Sequence, residues 1–354
     1  MMRMSKAAAL ALAIGWGSIC LSQALPKQDA AVLAKADRYV RAKQLEEANE
    51  LLSEYLQAHP RDLAVLVKLG EIQLSQKLSD DAMRSFGKAL AIDPTQTTAQ
   101  AGEVRAVVES ALADRNAGDN NGALSCLVQG LKAVPDSVTL LLDFGIQADA
   151  MQIYVDADKA LTRAHKIEPQ NAKVLYALAR VQIDEQKLPE AEANLKAYLK
   201  MNPNDASAYY GLGHLLHMLD KDDEAKAALD KSIALQPRQT ESYYELGEIA
   251  LHANDSAEAE SDYARVLALD PAHGGALTGM GEVAFRAKNY RRAERYLRKA
   301  VLYAPNYAKA HQFYAMTLEK LGERTQAREE FATAQRLAAE QSRTSRGYHL
   351  LTPP

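Results

Sequence analysis

The chain has 354 residues, of which 47% are apolar and 25% are charged, a composition typical of folded rather than disordered proteins. Its 42 Lys and Arg residues against 46 Asp and Glu residues give a formal net charge of -4, so the sequence predicts no nucleic-acid partner, which would favour a basic excess. Only Cys20 and Cys126 are cysteines, which excludes a disulfide-rich scaffold and a multi-cysteine zinc site.

The first 24 residues have the pattern of a secretory signal peptide. A start with two basic residues precedes an apolar run over residues 7–21, and Ser22 and Ala24 place small residues before a cleavage site. We therefore expect cleavage after Ala24 and an exported chain, periplasmic or secreted. Two alternatives stay open: an uncleaved anchor, although the run is shorter than the roughly 20 residues of a membrane span, and lipid attachment at Cys20, although the residues before it depart from the usual lipobox.

From residue 25 to residue 341 the sequence repeats about every 34 residues. Prolines mark the period, with one gap of 41 residues: Pro60, Pro94, Pro135, Pro169, Pro203, Pro237, Pro271 and Pro305. An alanine lies 12 positions before each proline: Ala48, Ala82, Ala123, Ala157, Ala191, Ala225, Ala259 and Ala293, with Ala327 continuing the series. A Gly or Ala lies 12 positions earlier again: Ala36, Gly70, Ala111, Gly145, Ala179, Gly213, Gly247, Gly281 and Ala315. A fixed period of this length indicates a repeat architecture.

Each repeat has the pattern of two antiparallel helices of about 13 residues. One small residue on each helix lets the two helices cross closely, and the proline ends the second helix because it cannot continue one. Larger apolar residues are expected to fill the core between the helices. Examples come from two repeats: Leu66, Leu69 and Phe86, and Tyr209, Leu212 and Leu229.

This pattern resembles the tetratricopeptide repeat family over residues 29–341. The stretch that matches best contains Leu66, Leu69, Gly70, Ala82, Phe86, Ala89 and Pro94. The resemblance implies an all-α fold, an α-solenoid with a right-handed superhelix of about nine helix-turn-helix repeats. The family's usual Trp at the fourth position is absent here, and Leu or Tyr replaces it in six of the nine repeats. The expected repeats are 29–62, 63–96, 97–137, 138–171, 172–205, 206–239, 240–273, 274–307 and 308–341, followed by a flexible tail at 342–354.

The 41-residue gap adds seven residues, which is close to two helical turns. Such an insertion keeps the apolar face in phase, so the first helix of the third repeat is expected over about Thr97 to Asn116. The extra turns are either a tolerated insertion or a ledge for a partner.

By family resemblance, the first helix of each repeat lines a concave groove through its second, fifth, sixth, ninth, twelfth and thirteenth positions. Tyr176, Tyr210 and Tyr244 occupy the fifth position of three successive repeats. Because equivalent positions stack side by side, the three rings are expected to form a ladder that binds a ligand. The alternative is burial against the neighbouring repeat, although Tyr209 and Tyr243 beside them are expected to fill the core positions.

Polar residues are predicted beside the ladder, and their charge changes from basic to acidic along the chain. They are Lys173, Arg180, His214, His217, Glu241, Glu245, Glu248 and Glu282. This gradient could orient a peptide, or the charges could belong to ordinary solvated helix faces. The Lys and Asn pair with which some members of the family capture a C-terminal carboxylate is absent.

No catalytic role is expected for the chain. His214, His217, Glu248 and His252 are possible zinc ligands by spacing, but nothing in the sequence fixes their geometry, so no metal and no cofactor is predicted. No HExxH, GxSxG or phosphate-loop motif occurs. Cys126 has apolar neighbours and is predicted to be a small core residue rather than a nucleophile.

A basic run from Arg286 to Lys299 places seven cations within 14 residues, opposed only by Glu294. A solvated face is one interpretation. Contact with anionic lipid headgroups or a polysaccharide is the other, and membrane association would then be peripheral.

The sequence thus predicts a non-catalytic protein-interaction scaffold that binds an extended or helical protein segment in the groove. By resemblance to exported members of the family, it would act in assembly of an envelope or secretion complex. The alternative is a carbohydrate- or polymer-binding subunit of an exopolysaccharide export machine, with tyrosines stacking on sugars.

Overall fold

The computed structural model describes residues 27–347, with side chains described from residue 29 to residue 340. The predicted signal peptide and residues 348–354 therefore lie outside the described residues. The described part contains 18 α-helices and no strand. None of the helices found there combines the length and apolar character that crossing a membrane requires. The described residues divide into two compact units, unit 1 up to Ala106 and unit 2 from Val107, with the boundary inside one helix.

Unit 1 contains two helix pairs and the start of a fifth helix. The helices are α1 (Lys27–Arg41), α2 (Leu45–Ala58), α3 (Leu63–Ser75), α4 (Ser79–Ile92) and, up to Ala106, α5 (Thr97–Asn116). Helix α1 packs on α2, α2 on α3 and α3 on α4, and α1 also packs against α3. The 20 residues of α5 agree with the long helix that the seven-residue insertion predicts.

Unit 2 contains the rest of α5 and 13 further helices. They are α6 (Asn120–Ala133), α7 (Val138–Ala150), α8 (Tyr154–Ile167), α9 (Ala172–Asp184), α10 (Leu188–Met201), α11 (Ala206–Met218), α12 (Asp222–Leu235), α13 (Thr240–His252), α14 (Ser256–Leu269), α15 (Gly274–Arg286), α16 (Tyr290–Tyr303), α17 (Ala308–Leu321) and α18 (Arg324–Gly347). From α7 onward, odd-numbered helices are the first helices of repeats and even-numbered ones the second. The all-helical repeat fold is confirmed. The last helix continues to Gly347, six residues into the segment expected to be the tail.

Proline and capping side chains fix where the helices end and begin. The second helices α2 to α16 each stop two residues before a periodic proline, as α4 does at Ile92 before Pro94. The residue between them is extended, with φ -136° and ψ 97° at Asp93, because a following proline disfavours the α region. First helices often begin at a short polar side chain that accepts a hydrogen bond from the backbone: Asp62 from Val65 N, for example.

The turn inside each described repeat contains one residue with positive φ, seven positions after the small residue of the first helix. The nine residues are Lys43, Lys77, Gly118, Gln152, Gln186, Asp220, Asn254, Lys288 and Gly322. Only two are glycine, although this left-handed conformation favours glycine. The geometry of the helix pair therefore determines the turn, whatever residue occupies it.

The small residues allow the two helices of a repeat to approach closely. A Cβ atom built on Gly70 would lie 2.7 Å from Cε1 of Phe86, and one on Gly247 would lie 2.6 Å from Cε1 of Tyr263. The alanine of each second helix is buried, as at Ala82. Packing at this density leaves no room for a larger side chain, which confirms the reason inferred for the small residues.

Phe86 and Tyr263 are aromatic residues at a position where six other repeats carry leucine, and each of these two rings lies against two glycines. Phe86 lies against Gly70 of its own repeat and Gly102 of the next, and Tyr263 lies likewise against Gly247 and Gly279. Tyr263 thus passes between α13 and α15 and donates a hydrogen bond from its hydroxyl to Glu248 Oε1 at 2.6 Å. The hydroxyl of the buried Tyr263 is in this way hydrogen-bonded to Glu248, a partly accessible residue of α13.

The contact between Gly247 and Tyr263 provides a stability test. We expect Gly247→Ala to lower the free energy of unfolding by about 1–3 kcal/mol, because the added methyl group collides with the ring. Adding Tyr263→Leu should recover part of the loss, since Ala179 and Leu195 hold these two positions in another repeat. Gly211→Ala is the control, as its Cβ would meet nothing within 4 Å. Urea unfolding measures all four proteins, and a Gly247→Ala variant as stable as wild type would contradict the packing argument.

Candidate functional site

Several neighbouring first helices of unit 2 pack side by side. Helix α7 packs on α9, α11 on α13, α13 on α15 and α15 on α17. Residues 34 positions apart occupy equivalent places on these helices. We use the name first-helix face for the second, fifth, sixth, ninth, twelfth and thirteenth positions of the unit 2 part of α5 and of α7, α9, α11, α13, α15 and α17.

Ion pairs between residues 31 positions apart join neighbouring first helices. Arg180 on α9 donates to Asp149 Oδ2 on α7 at 3.0 Å, and His214 Nδ1 on α11 lies 2.9 Å from Glu245 Oε1 on α13. Both carboxylates are nearly buried. Burial raises the pKa of Asp149, and Arg180 opposes the shift. These pairs hold the helices in register, so Arg180, His214 and Glu245 have partners within the chain before any ligand binds.

The three tyrosines of the predicted ladder are half-buried, each beside a different partner. Tyr176 packs on Tyr198 of its own repeat with ring centroids 5.0 Å apart, and Tyr210 stacks on His214 at 6.3 Å. Tyr244 contacts the Tyr263 ring, and Gly275 makes room for it at the start of α15. The fourth-position residues Tyr209 and Tyr243 are half-buried as well. The sequence predicted that the fourth position would be in the core and the fifth on the surface, but the two positions are buried to a similar degree. The binding role of the ladder stays a prediction.

The accessible part of this face is best developed around Tyr210. Gly211 follows it in the sequence, and a Cβ at Gly211 would meet no atom within 4 Å apart from its chain neighbours, so the surface at Gly211 is open. Burial raises the pKa of Tyr210 to about 12, with contributions from Glu245 and Glu241. The phenol therefore keeps its proton and can donate a hydrogen bond to a ligand. The hydrogen bond to Glu245 raises the pKa of His214. An aromatic surface, a hydrogen-bond donor and a carboxylate therefore converge here.

A partly buried charge cluster connects α13, α15 and α17. Lys309 Nζ lies 3.2 Å from Glu248 Oε2 and 3.1 Å from Glu282 Oε2. Arg286 donates to Glu282 Oε1 at 2.5 Å and to the Leu251 carbonyl oxygen at 3.2 Å. Burial lowers the pKa of Lys309, but attraction to the two carboxylates outweighs this effect and raises the pKa overall. This cluster is a structural bridge across three repeats.

Lys309 and Arg286 change the predicted charge gradient. Their cations neutralise Glu248 and Glu282, which the sequence assigned to an acidic end of the groove. Glu282 is buried and Glu248 is only partly accessible. Lys309 occupies the second position of the ninth repeat, 136 residues after the equivalent Lys173, and the same period could have identified it.

The remaining predicted residues lie apart from one another. Lys173 is exposed at the start of α9, and Glu241 is exposed at the start of α13, 3.6 Å from His273. His217 and His252 both face Asp222, at 2.7 and 3.6 Å.

The four possible zinc ligands do not come together. His214 pairs with Glu245, and Glu248 lies in the cluster with Lys309, whereas His217 and His252 share Asp222. Within the described residues no group of three or more His, Cys, Asp and Glu side chains could hold a metal ion. Cys126 is buried in α6, as predicted.

The first-helix face also carries two exposed aliphatic side chains that the sequence pattern did not predict as site residues. Leu112 on α5 is 49% exposed and Ile146 on α7 is 46% exposed. Both occupy the ninth position, one residue after the small residue of the first helix, where Arg180 and His214 stand in later repeats. The periodic pattern locates this position, so comparing its residues along the chain would have revealed the apolar end.

A family model described as tetratricopeptide repeat matches residues 39–106, 183–247, 250–306 and 284–346, which together are more than half of the chain. The chain belongs to the tetratricopeptide repeat family. Proteins of this family are generally non-catalytic scaffolds that bind protein or peptide partners. No curated protein sequence matches the chain.

Solved structures with tetratricopeptide repeats are similar to the chain in fold. Cut9–Hcn1, the APC/C hetero-tetramer, is matched with a TM-score of 0.52 and 18% identity over 88% of this chain and 61% of that one. The pilF protein of Pseudomonas aeruginosa is matched with a TM-score of 0.51 and 17% identity, over 61% of this chain and 99% of that one. MamA is matched with a TM-score of 0.44 and 24% identity, over 46% of this chain and 94% of that one. At these identities the similarity concerns the fold alone.

Lys309→Met tests the charge cluster. We expect the free energy of unfolding to fall by about 1–3 kcal/mol, because the buried carboxylate of Glu282 loses one of its two cationic partners, although partial exposure of Lys309 reduces the cost. Because the pKa of Lys309 is raised, its stabilising charge is fully present below its unfolded pKa of about 10.4 and is lost only as pH rises past the folded value. The loss should therefore be similar at pH 7 and pH 9 in urea unfolding.

Lys309→Arg is the matched control for this variant. It keeps the positive charge between Glu248 and Glu282 and should lose less stability than Lys309→Met. Equal losses in the two variants would contradict the bridging role, since they would mean that only the packing of the lysine stem matters.

Proposed function

We propose that this tetratricopeptide repeat protein is a non-catalytic scaffold that captures an extended or helical segment of a partner protein on the first-helix face of unit 2. The observation that carries the proposal is the order of chemistry along that face. Exposed Leu112 and Ile146 come first, half-buried Tyr210 and the open surface at Gly211 follow, and the bridged charges of Lys309 come last.

Each part of the face fits a different part of a peptide. The exposed aliphatic side chains can bury apolar residues of the partner, which is the main source of affinity in such contacts. Tyr210 offers a ring and a hydroxyl that can bond to the partner backbone. The exposed carboxylate of Glu241 near Tyr210 favours a lysine or arginine at that point of the segment.

The ion-paired network supports binding rather than catalysis. Three carboxylates on the face are paired with basic side chains of the chain: Glu245 with His214, Glu282 with Arg286 and Asp149 with Arg180. Fixed side chains lose little entropy when a ligand binds, so a pre-organised face suits capture of a flexible segment. We assign the bridging residues to positioning of the helices and the Leu112, Ile146 and Tyr210 side chains to contact with the partner.

Capture by variants tests this assignment. Immobilised wild-type protein, Leu112→Ser with Ile146→Ser, and Tyr210→Ala are each incubated with an extract of the native cells, and bound proteins are quantified by mass spectrometry. We expect both variants to lose at least tenfold of the partner retained by wild type. Val155→Ser with Ile167→Ser is the matched control, because these residues are 45% and 42% exposed on the second helix α8.

Two outcomes would contradict the proposal. One is equal loss of the partner in the α8 control, which would indicate a general effect of removing surface apolar groups. The other is capture that survives protease treatment of the extract, which would favour a polysaccharide ligand. Circular dichroism melting of all variants confirms that each is folded.

We also propose that the chain is exported, on the sequence of its first 24 residues. The expected outcome is a mature protein in the envelope or medium that begins at Leu25, and Ala24→Arg should retain the precursor because a large cation cannot enter the cleavage site. Intact mass measurement checks both. A cytosolic protein that begins at Met1 would contradict export, and an acylated N-terminus at Cys20 would replace cleavage at Ala24 by lipid anchoring.

A further inference from the structure

The second helix α16 differs from the other second helices of unit 2 in its charge. It carries five cations and one carboxylate over Tyr290–Tyr303. By contrast, α14 carries one cation and three carboxylates, and α12 carries two cations and four carboxylates. Since the whole chain is slightly acidic, this helix concentrates positive charge against the average.

Two of the five cations of α16 form ion pairs within the described residues, and the other three do not. Arg292 pairs with Glu260, and Arg291 pairs with Glu294. Arg295, Arg298 and Lys299 are exposed and form no ion pair within the described residues. A solvated helix face would be expected to intersperse carboxylates among such cations, as α12 does.

Two large apolar side chains are exposed at the end of the same helix. Leu302 is 70% exposed, more than any other large apolar residue described, and Tyr303 beside it is 53% exposed. Residues three, four and seven positions apart lie on one side of a helix, so Arg295, Arg298, Lys299 and Leu302 share one stripe with Tyr303 at its margin. We call these five residues the α16 patch.

We propose that the α16 patch docks the protein on the surface of an anionic lipid bilayer. The two apolar side chains would enter the boundary between headgroups and acyl chains, and the three cations would contact lipid phosphates. This combination of unpaired cations and protruding apolar residues is typical of interfacial helices. A soluble polyanion would use the cations but leave Leu302 and Tyr303 in water, so the apolar pair favours the membrane.

This surface lies on a second helix and is separate from the first-helix face. Docking through α16 therefore leaves Leu112, Ile146 and Tyr210 available for a partner, and each proposal can fail without the other. A protein that binds both would gather its partner at the membrane surface.

Sedimentation with vesicles tests the proposal. The probes are vesicles of phosphatidylcholine alone and of equimolar phosphatidylcholine and phosphatidylglycerol. We expect binding to the anionic vesicles only, weakening as salt rises. Arg295→Gln with Arg298→Gln and Lys299→Gln should lower the partition coefficient about 100-fold, since each cation near an anionic surface contributes roughly a fivefold factor.

A charge-matched control separates the patch from net charge. Lys159→Gln with Arg163→Gln and Lys166→Gln removes three exposed cations from α8, another second helix, and should leave binding within about twofold of wild type. A loss as large as that of the α16 variant would overturn the proposal. So would the absence of binding to anionic vesicles by the wild-type protein.

The apolar pair distinguishes a membrane from a soluble polyanion. Leu302→Ser with Tyr303→Ser should lower vesicle binding at least tenfold, because the inserted side chains are lost. Unchanged vesicle binding in this variant would overturn membrane docking and leave a purely electrostatic surface. Both residues are already exposed, so the variant is expected to fold, and a thermal melt verifies this.

Discussion

The close crossing of two helices within each repeat is the constraint on which the rest of the structure depends. It requires a glycine or alanine on the first helix and a buried alanine on the second, with one side chain lying across the contact, as Phe86 lies against Gly70. Once the two helices are this close, the turn between them has little freedom. That explains why a residue with positive φ recurs at the same place in the described repeats even where it is lysine or glutamine.

Regular spacing of the helix pairs places equivalent residues beside one another, and this converts sequence offsets into contacts. An offset of 31 residues joins His214 to Glu245 and Asp149 to Arg180. An offset of 27 residues joins Glu282 to Lys309. These pairs are part-buried, so they are screened less than surface ion pairs and help to fix the relative positions of neighbouring first helices.

The two faces of unit 2 have different chemistry. The first-helix face combines exposed aliphatic residues, half-buried rings and charges that are mostly paired inside the chain. The α16 patch combines cations without ion-pair partners in the described residues and two protruding apolar side chains. A face with internal charge pairing is suited to shape-dependent recognition, whereas unpaired charge is suited to long-range attraction by a charged surface.

The sequence by itself determined the all-helical repeat fold, the ends of the second helices that precede a periodic proline, and the long helix α5. These features depend on local rules: proline stops a helix, and only a small residue fits a close crossing. The same period also placed Tyr176, Tyr210 and Tyr244 at equivalent positions on successive first helices.

Only the tertiary structure decided how the surface of those helices is used. The accessibility of a ring depends on neighbours from other repeats: Gly275 of the next repeat admits Tyr244 into the contact between α13 and α15. Likewise, Glu248 and Glu282 count as negative charge in the sequence, but Lys309 neutralises them from another repeat. Burial and charge pairing are properties of side chains brought together by packing, and a pattern along one helix does not contain them.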